Sequence, residues 1–216
     1  MEYLLGVPHL EETQQLLAEA ETRNPGPWVQ HSRFAAQAAR LIAVRYPALD
    51  PDTAYSCGLL HDIGRREGVT DLRHTLDGYN FLSKLGFPGA ARICLTHSFP
   101  FKDVRAGSGK WDCSDQELNF VAEFLAETEY NEYDRLLQLC DALAQPTGFC
   151  LIEKRLVDVA LRRGINAYTL PKWQAFLQLQ QEFEAVIGQS IYSLLPGVIS
   201  NTFGFNPMKG ELLNQV

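Results

Sequence analysis

The chain has 216 residues, 46% of them hydrophobic, and a formal net charge of −7. That is enough apolar material for one compact domain, or for a large domain with a small extension. The acidic balance argues against non-specific binding to nucleic acid or an anionic membrane, and no apolar run approaches the roughly 20 residues that span a bilayer.

Five cysteines without framework-like spacing read as reduced thiols. The N-terminal "MEYLLGVPHLEET" is acidic and lacks the basic start and long apolar core of a secretory signal. The expectation is a cytoplasmic enzyme or binding protein.

In chain order the pattern is helical almost throughout. "HLEETQQLLAEAETR" repeats apolar residues at spacings of three and four, then breaks at "NPGP". The next helix starts at Pro27, a favoured first helical position, and runs through "FAAQAARLIA", whose small residues permit close helix packing. A third opens with Asp50 as N-cap and Pro51 behind it, and Gly64 is expected to end it in the left-handed conformation. "HTLDGYNFLSKLG" and "PGAARICLTHS" read as two shorter helices.

"SFPFKDVRAGSGKWDC" is the longest irregular stretch, marked as a loop by Pro, Gly and Ser. Ser114 and Glu117 stand at capping-box spacing before another helix. "YDRLLQLCDALA", "FCLIEKRLVDVALRRG" closed by Gly164, and "LPKWQAFLQLQQEFEAVIG" complete the predicted helices, and the tail from Val198 reads as irregular. No segment alternates as a strand would, so the expected class is all-α, a single domain over residues 1–216.

"GSGKW" is not a phosphate-cradling P-loop. It lacks the earlier glycine, and Trp111 stands where a Ser or Thr is needed.

The chemistry concentrates in few residues. His61 and Asp62 stand side by side where a hydrophobic helix should end. Successive helical residues diverge by about 100°, but at a helix end the chain can turn and aim both at one point, where the negative pole of the helix favours a cation. Two readings fit locally, a metal-binding corner or a surface His–Asp pair. Asp141 lies amid Leu136, Leu137, Leu139, Cys140, Ala142 and Leu143; a carboxylate there needs a metal, an arginine or a helix N-terminus as partner. His31 sits beside Trp28 on the alanine-rich helix, and His74 and His97 each stand at a predicted helix end. Taken singly, each also fits an ordinary boundary residue. Cys94, one turn before His97, reads as core packing for want of a second Cys-x-x-His pair. His9 stands apart and is given no role.

Together, His31, His61–Asp62 and Asp141 resemble the H…HD…D signature of the HD superfamily of metal-dependent phosphohydrolases, and "HDIG" matches a form common among bacterial members. The resemblance covers about residues 28–145. It implies an all-α HD-type helical bundle, here with a C-terminal helical extension over about 148–216 that matches no hallmark of the superfamily. His74 and His97 fill the slots of the two additional histidines of binuclear members, and "HTLDGYNFL" looks like the superfamily's His-x-x-x-Gly helix start. Arg65 stands where many members carry a lysine, which keeps the charge but changes its geometry. The second adjacent His and the Gly-Tyr-Pro segment of cyclic dinucleotide phosphodiesterases are missing from "THSFPF". Symmetrical dinucleotide tetraphosphatases share the six-ligand order.

The resemblance implies one ion held by His31, His61, Asp62 and Asp141, and a second by His74 and His97 with Asp62 bridging. Four imidazoles favour iron, manganese, zinc or nickel. Two such cations about 3.5–4 Å apart would activate a bridging water to attack phosphorus, with Asp62 and Arg65 as catalytic residues. The implied substrate is a small phosphorylated molecule, a nucleotide by preference. Eight Lys/Arg against four Asp/Glu between Arg65 and Lys110 single out Arg66, Lys102, Arg105 and Lys110 as substrate-phosphate candidates, each also readable as a solvated surface charge. Trp111 is a candidate to stack on a base, and the loop from Phe99 to Cys113 reads either as a lid or as a plain surface loop. Two other functions are open: a di-iron oxygenase on the same six ligands, and a non-catalytic nucleotide-binding sensor, against which the intact ligand set argues. The oligomeric state is not readable.

Overall fold

The computed structural model describes residues 6–205. Its helices are α1 (Leu10–Arg23), α2 (Pro27–Ala43), α3 (Pro51–Leu60), α4 (Arg73–Lys84), α5 (Pro88–Thr96), α6 (Asp115–Glu127), α7 (Glu132–Leu143), α8 (Ile152–Arg163), α9 (Thr169–Ile187) and α10 (Val198–Phe203). Short 3-10 turns lie at Ile63–Glu67, Val104–Ala106 and Ile191–Leu194. The helical class is as the sequence predicts. Two elements are not: a two-residue hairpin pairing β1 (Ala144–Gln145) with β2 (Gly148–Phe149), and α10, part of the tail expected to be irregular. The rest of that tail, 206–216, lies outside the described residues.

The predicted starts are built as their chemistry demands. Asp50 Oδ1 accepts from Thr53 N at 2.8 Å, with Pro51 in the first turn. Ser114 and Glu117 form a reciprocal capping box at α6. Asn131 and Asp134 form another at α7, satisfying donors that the first helical turn leaves unpaired.

The packing that positions the site depends on small residues. A Cβ on Gly58 would lie 2.4 Å from Ala36 Cα, so α2 and α3 meet backbone to backbone, as the alanine-rich segment permits. Gly64 departs from expectation. It is not left-handed but sits inside the 3-10 turn, where a Cβ would come within 2.0 Å of His74 O and 2.4 Å of Gly78 N. Its missing side chain brings α4 onto the turn after α3. Gly78 does the same against α5, where a Cβ would meet Cys94 Sγ at 2.8 Å.

One apolar cluster joins α2, α3 and α7 to Ile152, Leu156, Phe176, Phe183, Ile191 and Val198. The C-terminal helices therefore share a core with the helices before them. Apolar area removed from water stabilises by about 25 cal/mol per Å², so this shared burial fixes where α8 and α9 stand.

Candidate metal centre

α3 ends at Leu60. His61 keeps helical angles, but Asp62 takes φ −105° and ψ 14°. The chain bends there and both side chains reach the same buried point, next to His31 on α2, His74 on α4, His97 at the end of α5 and Asp141 on α7. The ring centroids of His31 and His61 lie 5.3 Å apart, those of His61 and His97 4.9 Å, and those of His74 and His97 5.8 Å. The structure thus brings together all six side chains singled out by the sequence. The four imidazoles and Asp62 are buried, while Asp141 keeps one edge in a cavity.

The imidazoles share one orientation. His31 Nδ1 donates to Ala144 O at 3.2 Å, His61 Nδ1 to Gly58 O at 2.7 Å, His97 Nδ1 to Ile93 O at 3.1 Å, and His74 Nδ1 to Asp71 O. A carbonyl oxygen only accepts, so each Nδ1 carries a hydrogen, and each ring turns its Nε2 inward. His31 Nε2 then lies 2.8 Å from Asp141 Oδ1, and His74 Nε2 3.0 Å from Asp62 Oδ1. His97 Nε2 lies 3.7 Å from Asp62 Oδ1 and His61 Nε2 4.0 Å from Asp62 Oδ2. Lone pairs facing carboxylate oxygens repel unless a proton or a cation stands between them. Burial favours the cation: it pushes His97 down to about 3, helped by the charge of His61, and lowers His31 against the pull of Asp141. His61 Nε2 is buried without a hydrogen-bond partner, and such an atom needs an explanation.

Two overlapping groups have ligand atoms close enough to hold an ion: His31, His61 and Asp62, and Asp62, His74 and His97. Asp62 belongs to both. Burial alone raises its carboxyl, but Arg65 and the His74 and His61 imidazoles outweigh this and hold it well below the usual carboxylate range. Burial likewise raises Asp141, and its hydrogen bond and charge interaction with His31, then Arg155, hold it well below that range. Both are ionised and suited to a divalent metal. Further bonds set His97: Thr96 Oγ1 donates to Asp134 Oδ1 at 2.7 Å, and Gln138 Nε2 to Thr96 O at 3.2 Å, tying the end of α5 to α7. Cys94 Sγ donates to Leu60 O at 3.3 Å and is core, as expected.

A cavity of about 470 Å³ opens over this centre. Arg65 lines it; its Nε donates to Asp62 Oδ2 at 2.7 Å and its Nη2 lies 3.3 Å from His74 Nε2. None of the other basic candidates, Arg66, Lys102, Arg105 and Lys110, lines this cavity, and neither does Trp111. Arg66 is buried elsewhere, bonded to Glu19 at 2.6 Å, with its guanidinium carbon 3.9 Å from the Phe81 ring centroid. Lys102 pairs with Glu129 at 2.8 Å and Arg105 with Asp103 at 2.7 Å. Trp111 stacks on Phe99 and donates to Val104 O at 3.1 Å. Lys110 is exposed; its backbone N donates to Asp71 Oδ2 at 2.7 Å, pinning the loop to the start of α4.

The cavity's remaining cations come from helices to which sequence reasoning assigned no function: Arg155, Arg162 and Arg163 on α8, and Lys172 on α9. Arg155 Nη2 lies 3.6 Å from Asp141 Oδ1. The available signal was the basic run at the end of α8, but which face of α8 meets the cavity is set by tertiary packing.

Fold and centre define a helical domain built around a histidine–aspartate cluster able to hold divalent metal. The family model for the HD domain matches residues 28–145, more than half of the chain, and the chain belongs to that family, whose members are in general metal-dependent phosphohydrolases. No curated protein and no solved structure matches it. Among the described residues no helix is long and apolar enough to cross a membrane.

Proposed function

We propose that the protein is a metal-dependent phosphohydrolase acting on a phosphoester or phosphoanhydride of a nucleotide or related small molecule. One observation carries this reading: the imidazoles of His31, His74 and His97 and the carboxylates of Asp62 and Asp141 border a cavity whose other ionic groups include four arginines and a lysine, with the His61 imidazole buried behind them. The first set suits divalent cations, and the second suits the anion such cations would activate.

His31, His61, Asp62 and Asp141 would hold one ion, and His74 and His97 a second with Asp62 shared. Imidazole-rich coordination points to iron, manganese, zinc or nickel. When bound, such ions lower the pKa of a coordinated water and polarise a phosphoryl oxygen. The protein supplies the rest. Backbone carbonyls lock the imidazole orientation. Arg65 and Arg155, each beside a ligand carboxylate, offer planar donor forks to phosphoryl oxygens. Leu72, Trp28, Trp173 and Phe176 give the cavity an apolar wall suited to a base or other organic body. The apolar cluster running from α2 through α9 supports reading the chain as one folding unit.

Elemental analysis of purified protein, followed by a phosphate-release screen over a nucleotide library, tests the reading. The expected result is bound transition metal and phosphate release that His61→Ala abolishes. Oxygen consumption by the reduced iron-loaded protein without phosphate release would place it with the oxygenases instead. Nucleotide affinity that survives His61→Ala, with no turnover in either form, would make it a sensor.

A further inference from the structure

Lys172 stands in the first turn of α9, outside the segment matched by the family model. It is 8% exposed. Its Nζ donates to Ser108 Oγ at 3.1 Å and lies 5.8 Å from the Phe176 ring centroid. Among the described residues no carboxylate comes within ion-pair distance of it. The other basic groups on this part of the lining are paired: Arg155 with Asp141, Arg162 with Asp158 at 2.9 Å, and Arg163 with Asp71 at 2.6 Å. An ammonium has three donors. Ser108 takes one, leaving two with no protein acceptor. A buried, unpaired charge is costly, and in structural roles it is normally neutralised or paired.

Its location is also unusual. A second cavity of about 110 Å³, bounded by the Ala106–Gly109 segment, the end of α8 and the start of α9, adjoins the first. The two share Ser108, Val159, Arg163, Lys172 and Trp173. Lys172 thus stands at the junction of two cavities, and no ligand carboxylate lies within ion-pair distance, whereas Arg65 and Arg155 each border one. The N-terminal turn of a 19-residue helix adds partial positive charge at the same place.

We propose that Lys172, held by Ser108 and flanked by Arg163, is the binding site for a second anionic group of the substrate, distinct from the phosphoryl group that reacts. The identification of a reacting phosphoryl group rests on the phosphohydrolase reading. The substrate class is then a small organic phosphate carrying a further phosphate or a carboxylate. The apolar wall holds the body between them. Simple phosphomonoesters of neutral alcohols leave the ammonium unpaired and are poor substrates.

The test uses Lys172→Met, which keeps length and burial while removing the charge, and Lys172→Arg, which restores charge. Titration calorimetry of metal-free protein with inorganic pyrophosphate and, separately, malonate distinguishes phosphate from carboxylate. Wild type is expected to bind at least one, with affinity lost at least tenfold in Lys172→Met and partly recovered in Lys172→Arg. Equal affinity in wild type and Lys172→Met, or no binding of either probe to wild type, overturns the proposal. With turnover, the kcat/KM ratio for a two-anion over a one-anion phosphate ester should fall at least tenfold in Lys172→Met, mainly through KM. An unchanged ratio overturns the proposal too. Calorimetry needs no catalysis. Lysine-dependent binding with no phosphate release from any compound would therefore count against the phosphohydrolase reading and leave the anion site standing.

Discussion

The cavity is lined by two regions of opposite character. The helices α2 to α7 contribute lone pairs and carboxylates, each imidazole locked by a backbone carbonyl. The C-terminal helices α8 and α9 contribute guanidinium and ammonium groups. The first region is suited to cations, and the second to an anion. Under the proposed function, the family-typical segment would prepare the reaction and the extension would choose what enters.

The largest expected effect falls in the first region. Asp62→Ala removes the carboxylate common to both ligand groups, so metal content should collapse and phosphate release fall by at least about 10³-fold, in the range of whole catalytic constellations. Elemental analysis and initial rates check it. A folded variant with metal and full turnover would dissolve the contrast between the regions.

Next come the arginines, one from each region. Arg65→Ala and Arg155→Ala should each lower kcat/KM by about 10- to 1,000-fold, the scale of losing one donor to developing charge. Unchanged kinetics in Arg155→Ala would confine catalysis to the first region.

Two glycines sharpen the comparison structurally. Gly64→Ala forces a Cβ to 2.0 Å from His74 O and should destabilise by about 3 kcal/mol or more, among the large single-residue effects. Gly164, at φ 80°, would meet nothing within 4 Å; its alanine variant carries only backbone strain, about 1 kcal/mol. Denaturant midpoints should differ accordingly. Equal effects would mean that the turn after α3 repacks freely.

The last effect is in pH. His97 is pushed down to about 3 in the folded protein, chiefly by burial, against about 6.5 unfolded. Between those values the unfolded chain binds more protons. Metal-free protein should therefore lose stability as pH falls from about 6.5, by up to about 1.4 kcal/mol per unit from this group. Below the ordinary carboxylate pKa, Asp62 and Asp141 act in the same direction. Thermal melts of chelated protein at pH 7 and 5 read the slope; a flat profile would show that the His97 imidazole is not held neutral.

Most helix starts were legible in the sequence because they depend on local chemistry, and the six residues that the structure brings together were legible through the family resemblance. Asp50, Pro51, Ser114 and Glu117 act on donors within one turn, and "HDIG" writes a ligand pair and a close-approach glycine in four adjacent residues. Gly64 was misread because a missing side chain looks the same whether it permits a left-handed angle or a backbone contact. Arg66 does not face the cavity, because nearness in sequence does not fix which way a guanidinium turns. Arg66 turns to Glu19 and Phe81.

By itself, then, the sequence determined the helical class and most element boundaries, since these follow from periodicity and capping over short spans, while the six candidate ligands came from a resemblance carried by a few residues in order. Only the tertiary structure decided that those side chains share one point, and that Arg155 and Lys172 border the cavity beside them. Glycine-permitted helix contacts and the apolar cluster common to α2, α7 and α9 determine that arrangement, and such long-range packing has no local signature in the chain.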